Sequence, residues 1–187
     1  LNSFGCPNIL INSSYPRTAK WSFNEFKKIN SKEISKNTEL HQNSYMVWSI
    51  AVANMMKKNK IAGSIINLNS IYGLKGQNIS NYKNTNIKEN AIYVTMKHGL
   101  SGLTKSMASY YGQYNIRVNS LCPGGVFNDD AKNKKELIFF KNYFKNLAIK
   151  RMCNSRDISN AAIFLSSEYS KYITGVNLPI DGGFSCI

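Results

Sequence analysis

The sequence predicts an α/β fold built on a parallel sheet, and three observations predict it. Four short runs rich in Ile, Leu and Val stand out: NILIN (8–12), SIINLN (64–69), IRVNSL (116–121) and GVNLPI (175–180). They show little alternation of apolar and polar residues, as strands covered on both faces do. Stretches with helical spacing separate them, and strand–helix–strand alternation calls for parallel pairing with right-handed crossovers. Each run also ends in a polar or glycine-bearing segment. There are no internal repeats and no low-complexity linkers, so residues 1–187 read as a single domain.

Taken in order, the first strand runs into Asn12, Ser13 and Ser14. Residues 37–57, NTELHQNSYMVWSIAVANMMK, carry apolar side chains at helical spacing. The second strand ends at Asn69 and Ser70, followed by Gly73. The polar segment 74–90, LKGQNISNYKNTNIKEN, reads as a long loop, and long loops in compact domains are often functional. Ile92, Met96, Leu100, Leu103 and Met107 then mark the apolar face of a helix that also carries Tyr93 and Lys97. The third strand ends in Cys122-Pro123-Gly124-Gly125, where Pro sets a turn and Gly permits close backbone approach. Asp157 is the expected N-cap of the helix through AAIFLSS. The fourth strand ends in Asp181-Gly182-Gly183.

Composition narrows the function. A chain of 187 residues, 43% hydrophobic and 12% aromatic, has the material for one sizeable core. Lys and Arg number 24 against 10 Asp and Glu, a net charge of +14, which by size alone suggests an acidic partner. The lysines are scattered in short clusters such as Lys57, Lys58 and Lys60 and form no long basic tract. No specific nucleic-acid surface is therefore expected. Cys6, Cys122, Cys153 and Cys186 lie far apart, which argues against a metal site or a disulfide scaffold and for reduced thiols in the cytoplasm. No run has the length of a membrane span and no signal peptide is present. The opening LNSFGCPNILIN reads like the interior of a protein.

In AIYVTMKHG (91–99), Tyr93 and Lys97 sit four residues apart, neighbours on one helix face. A nearby ammonium can lower the acidity constant of a phenol from its ordinary value of about 10. That suits a proton donor and acceptor working near neutral pH. Alone, the pair reads first as a solvated helix face. Ligands of parallel sheets bind beyond the carboxyl ends of the strands, and here four polar strand ends accompany the pair.

Together these segments resemble the short-chain dehydrogenase/reductases, over nearly everything from Gly5 to the end. INSSYPR (11–17) is similar to the family's N-N-A-G region, with Asn12 at its first Asn. SIINLNSIYG (64–73) is similar to the strand ending in the catalytic serine, here Ser70. Tyr93 and Lys97 match the Y-x-x-x-K pair. NIRVNSLCPGGV (115–126) resembles the Pro-Gly turn that cradles the nicotinamide, and TGVNLPIDGGF (174–184) the C-terminal strand motif. The resemblance implies a Rossmann-like doubly wound sheet and hydride transfer with NAD or NADP. Ser70, Tyr93 and Lys97 would be catalytic; Asn12, Tyr93, Lys97, Pro123, Gly124 and Val126 would face the cofactor. Asn12 could equally tie the central strands together. SIYG, YKNT (82–85), YPR and LCPGGVF are closest to a subgroup associated with flagellin modification and nonulosonic, sialic-like sugars, so the implied substrate is a sugar-like alcohol or ketone. Family members commonly form homo-oligomers through the helices corresponding to 37–57 and 92–112.

Two departures accompany the match. The family's relay Asn, on the helix before the serine strand, has no clear counterpart; Asn37, Glu39 and Asn43 are near, with Glu39 nearest the expected place. His41 and His98 read as surface or packing residues, and Trp21 and Trp48 as packing. A dinucleotide site also needs a Gly-rich turn between a strand and a helix N-terminus to receive the pyrophosphate. No such turn exists in the chain. The sequence thus reads as the C-terminal portion of the fold without the first βαβαβ half, with NILIN an exposed sheet edge and the chain inactive by itself. The competing expectation is a non-catalytic remnant that works through protein contacts.

Overall fold

In the computed structural model, the described residues are 5–16, 18–21, 25–85, 87–126 and 134–186, with side chains at 134–136 left aside. Four strands, β1 (Ile9–Asn12), β2 (Gly63–Leu68), β3 (Ile116–Pro123) and β4 (Asn177–Ile180), form one sheet in the order β1-β2-β3-β4. All three pairings are parallel, with Ile11 opposite Ile66, Ile66 opposite Asn119 and Leu121 opposite Leu178. The helices are α1 (Ser31–Thr38), α2 (Ser44–Lys58), α3 (Ala91–Tyr111), α4 (Lys134–Lys145) and α5 (Ser155–Ser166).

Successive residues of β2 bury on opposite sides. Ile65 joins Val52, Met56 and Met107 of α2 and α3, together with Ile116 and Val118 of β3. Ile66 joins Leu121 and Leu165, the latter on α5. Both faces are apolar because both are covered, which is why the strand runs lack alternation. At β1 the covering stops. Ile9 is 42% and Ile11 47% exposed, and among the described residues β1 pairs only with β2. The exposed apolar edge expected for NILIN is present.

The stretch 37–57 is helical throughout, with α1 passing into α2 through a wide π turn, Glu39–Asn43. Two expectations need correction. Asp157 does not cap α5; Asn154 does. The Asn154 side chain accepts from the Asp157 amide at 2.9 Å, and the Asp157 carboxylate accepts from the Asn154 amide at 2.9 Å, a reciprocal capping box. The polar segment 74–90 contains a 3-10 turn, Ile79–Tyr82, where Asn81 accepts from the side-chain amides of Asn142 on α4 and of Asn146 just beyond it. Helix α4 itself has no counterpart among the sequence expectations. Its Tyr143, with Leu147 just beyond its end, packs onto Ile71, Tyr72 and Phe184, a third core cluster at the carboxyl end of the sheet.

Candidate active site

The carboxyl end of β2 places Ser70 as N-cap of a short 3-10 turn, Ile71–Gly73, where its hydroxyl accepts from the Tyr72 amide at 3.1 Å. Gly73 closes this turn because the space is taken: a Cβ there would stand 2.7 Å from the Lys97 carbonyl and from the Asn69 side-chain oxygen. The turn can therefore lie directly against α3. Asn90 caps α3 by accepting from the Tyr93 amide at 2.9 Å, which sets Tyr93 in the first turn and Lys97 one turn further in.

Tyr93 is half-buried and Lys97 buried. The Lys97 ammonium donates to the Leu68 carbonyl at 2.9 Å and lies 5.7 Å from the centroids of the Tyr93 and Tyr45 rings and 5.9 Å from that of Tyr15. Burial brings its pKa down to about 8, against a small opposing pull from Cys122. Burial also pushes the Cys122 thiol up to about 11, so this sulfur stays protonated at neutral pH.

Ser70, Tyr93, Lys97, Pro123, Gly124 and Val126 line one cavity of about 210 Å³ at the carboxyl ends of the strands. A larger cavity, about 670 Å³, lies at the opposite strand ends beside Asn8, Gly63 and Arg117, away from these groups. The Pro-Gly-Gly turn is braced from two sides. The Gly124 amide donates to the Ile180 carbonyl at 3.0 Å, and the Gly125 amide to the Tyr143 hydroxyl at 2.9 Å. A Cβ on Gly124 would meet the Asp181 Cα at 3.0 Å, so the turn needs Gly to sit against β4. Asn12 stands apart from the cavity lining. Its amide donates to Ser49 at 2.8 Å and to Asn67 at 2.9 Å, joining β1, α2 and β2, the structural one of its two expected roles.

Aromatic residues surround Tyr93 in a way the sequence reading did not foresee. Its ring meets Tyr15 at 5.8 Å, Tyr72 at 6.3 Å and Trp21 at 6.3 Å, all edge to face. Trp21 thus belongs to the site's surroundings, and Trp48 is 57% exposed rather than packed. His41, expected at the surface or in packing, is buried in the π turn near Lys97, whereas Glu39 and Asn43 are exposed. Asn37 is buried, but its amide donates to the Glu33 carbonyl of its own helix at 2.7 Å. The sequence signal for His41 was its spacing: four residues before Tyr45 and eight before Ser49, both buried on the same helical face.

Among the described residues there is no group of His, Cys, Asp and Glu that could hold a metal, and no helix long and apolar enough to cross a membrane. A family model described as enoyl-(acyl carrier protein) reductase matches residues 2–185. The chain belongs to the short-chain dehydrogenase/reductases. It is 33% identical over 174 residues to the post-translational flagellin modification protein A of Campylobacter coli, covering 93% of this chain and 66% of that protein. It is 40% identical over 121 residues to the trans-4-hydroxycyclohexanecarboxylate dehydrogenase of Sinomonas cyclohexanicum, covering 65% and 40%. A short-chain dehydrogenase of Leptospira borgpetersenii, solved with bound NAD+, superposes with a TM-score of 0.85 at 31% identity, covering 98% of this chain and 67% of that one. The chain therefore spans less than two thirds of the length of the curated relatives it matches.

Proposed function

We propose that this chain carries the catalytic part of an NAD- or NADP-dependent oxidoreductase acting on a sugar-like alcohol or ketone. The observation that carries the reading is the shared cavity: Ser70, Tyr93 and Lys97 open onto the same space as the Pro123–Gly124 turn. A nicotinamide fits this donor set. Pro123, Gly124 and Val126 bring backbone to the cavity wall, and Lys97 has ammonium donors beyond the one given to Leu68. The cofactor, when bound, supplies or accepts the hydride.

The protein's share is positional and protonic. Tyr93 gives its phenolic proton to the carbonyl oxygen as that oxygen gains charge, or takes a proton from the hydroxyl in the oxidative direction. Lys97 stabilises the phenolate left behind, a role its buried charge suits because few waters compete for it. The Ser70 hydroxyl is a preorganised donor toward the same substrate oxygen. Val126 and Gly124 present backbone at the turn.

The sugar-like substrate is what the sequence resemblance implies, and the likeness to the Campylobacter coli flagellin modification protein supports the subgroup from which it was drawn. The ring of aromatic faces about Tyr93 also suits a flat or cyclic substrate. The test joins the chain to a Gly-rich βαβαβ half from a short-chain dehydrogenase and follows NADH and NADPH turnover against nucleotide-sugar ketones. Tyr93→Phe should lower kcat by about a hundredfold or more. Equal rates for the two proteins would remove Tyr93 from the mechanism.

A further inference from the structure

The first turn of α3 is capped differently from that of α5, and the difference falls on Tyr93. In α5, Asn154 accepts from the amide of Asp157 three residues on, and the Asp157 carboxylate returns a bond to the Asn154 amide. Such a box satisfies two of the amides near a helix start that the helix itself cannot pair. In α3, Asn90 likewise accepts from the amide three residues on, but that residue is Tyr93. The Tyr93 side chain lines the cavity, so it is not available to return the bond.

Gln77 returns it instead. Its side-chain oxygen accepts from the Asn90 amide at 2.9 Å, from a position 13 residues upstream in the polar segment 74–90. The partners fix which way the Gln77 amide faces. A backbone N–H can only donate, so the oxygen meets Asn90 and the nitrogen donates to the Tyr82 hydroxyl at 2.8 Å. Burial, and then the neighbouring Tyr72, push the Tyr82 phenol above its ordinary value, so it stays a neutral partner. The Tyr82 ring meets Phe139 of α4 at 5.3 Å, and Asn81 beside it accepts from Asn142 and Asn146. Gln77 is thus anchored on a braced turn on one side and holds the start of α3 on the other.

We propose that Gln77 is a positioning residue for Tyr93, completing from the loop the capping box that a tyrosine in the third helical position leaves open. Helix ends fray, and Tyr93 stands in the first turn while Lys97 stands one turn further in. Fraying would carry the phenol away from Ser70 and leave Lys97 behind. With the Asn90 amide tied to Gln77 and the Asn90 side chain tied to the Tyr93 amide, that turn is closed before any ligand enters. The catalytic value of the tie rests on the oxidoreductase reading; the tie itself does not.

The test reads backbone amides of this chain first, by 15N-resolved hydrogen exchange. Gln77→Met keeps the length of the side chain and loses both bonds, so the Asn90 and Tyr93 amides should exchange on the order of tenfold faster. Gln77→Glu keeps an acceptor for Asn90 and should stay near the wild-type rates. The Asn154 and Asp157 amides, whose box is self-contained, should not change in either variant. Unchanged Asn90 and Tyr93 rates in Gln77→Met overturn the proposal. So does equal acceleration by both variants, or acceleration that extends to α5, which marks a general loss of stability. Should Gln77→Met fail to fold, the wild-type chain decides: its Asn90 amide should exchange at least about tenfold below an unprotected amide, and an unprotected rate overturns the proposal. In the chimeric enzyme, Gln77→Met should lower kcat on the order of tenfold with the KM for cofactor unchanged, and Gln77→Glu should restore it. An unchanged kcat in Gln77→Met overturns the positioning role. A chimera without turnover even with Gln77 in place faults the oxidoreductase reading, and the exchange rates still judge the tie.

Discussion

Lys97 holds its ammonium 5.7 Å from the centroid of the Tyr93 ring, one helical turn away, while the carbonyl of Leu68 takes one of its protons at 2.9 Å. Among the described residues no carboxylate pairs with that ammonium; the ion pair seen there joins Arg151 and Asp157. A lysine so buried without an anion weakens the fold, because its pKa falls to about 8 from 10.5. The folded state then binds fewer protons than the unfolded state between those values, so stability rises as pH climbs from about 8 to 10.5. Lys97→Met should stabilise the chain by about 2–3 kcal/mol at pH 7, the linkage term less the lost Leu68 bond. The gain should shrink to nothing above pH 10.5. Urea unfolding at pH 7 and pH 10.5 checks both halves. A destabilised variant at pH 7 would mean that Lys97 is solvated. Retention of a destabilising group is what a functional site shows.

Gly73 links the serine turn to the helix of the Tyr–Lys pair. Gly73→Ala would put a methyl carbon 2.7 Å from the Lys97 backbone carbonyl, which cannot swing aside as a side chain can. The Ile71–Gly73 turn and α3 must then part, moving Ser70 relative to Tyr93. We expect a loss of about 1–3 kcal/mol from overpacking and, in the chimeric enzyme, a larger fall in kcat than in affinity for cofactor. An unchanged Tm would show that the contact relaxes freely.

Helix α5 depends on its cap. Asn154→Ala should cost about 1 kcal/mol by freeing the Asp157 amide. Asp157 accepts from both Arg151 nitrogens at 2.6 and 2.7 Å, and this bond, followed by the Asn154 amide, holds its carboxyl down at about 2. Because the folded pKa lies below the ordinary 3.8, its contribution is complete above pH 3.8 and disappears as pH falls through about 2. Asp157→Ala should therefore lower Tm at pH 7, with the difference shrinking steadily from pH 3.8 to pH 2. A difference undiminished at pH 2 would assign the effect to helix propensity instead.

How much of this was legible beforehand follows from the physics of each element. The strands were readable because burial on both faces leaves unbroken apolar runs, and NILIN became β1 with a shift of one residue. At β4 the expected run 175–180 begins two residues early, since Gly175 takes a φ of +76° that a strand does not use. The π turn was hidden because its residues keep the polar–apolar spacing of a helix; only backbone bonding distinguishes it. Asn154 and Asp157 are both good caps, and pattern alone cannot choose between partners of one box. Ser70, Tyr93 and Lys97 could be named because a motif spacing identifies them. Tyr15 reaches Tyr93 through tertiary packing, which leaves no local periodic signature, and the spacing of His41 from Tyr45 and Ser49 signals burial but not what its ring meets.

The same reasoning bears on assembly. Met46, Val47, Trp48 and Ile50 all lie exposed on α2, with Val47 60% and Trp48 57% open to solvent. These exposed apolar residues sit on a helix whose Val52, Ala53 and Met56 go into the core, an arrangement that would suit an interaction surface. We expect α2 to pair with α2 of a second copy, an isologous contact that brings each Trp48 against its partner. Trp48→Glu would bury a carboxylate there and disfavour association by several kcal/mol, while the fold keeps its core because Trp48 makes no part of it. Sedimentation should then show a monomer with wild-type circular dichroism. A variant that still associates would move the contact elsewhere, the exposed edge of β1 being the next apolar surface to try.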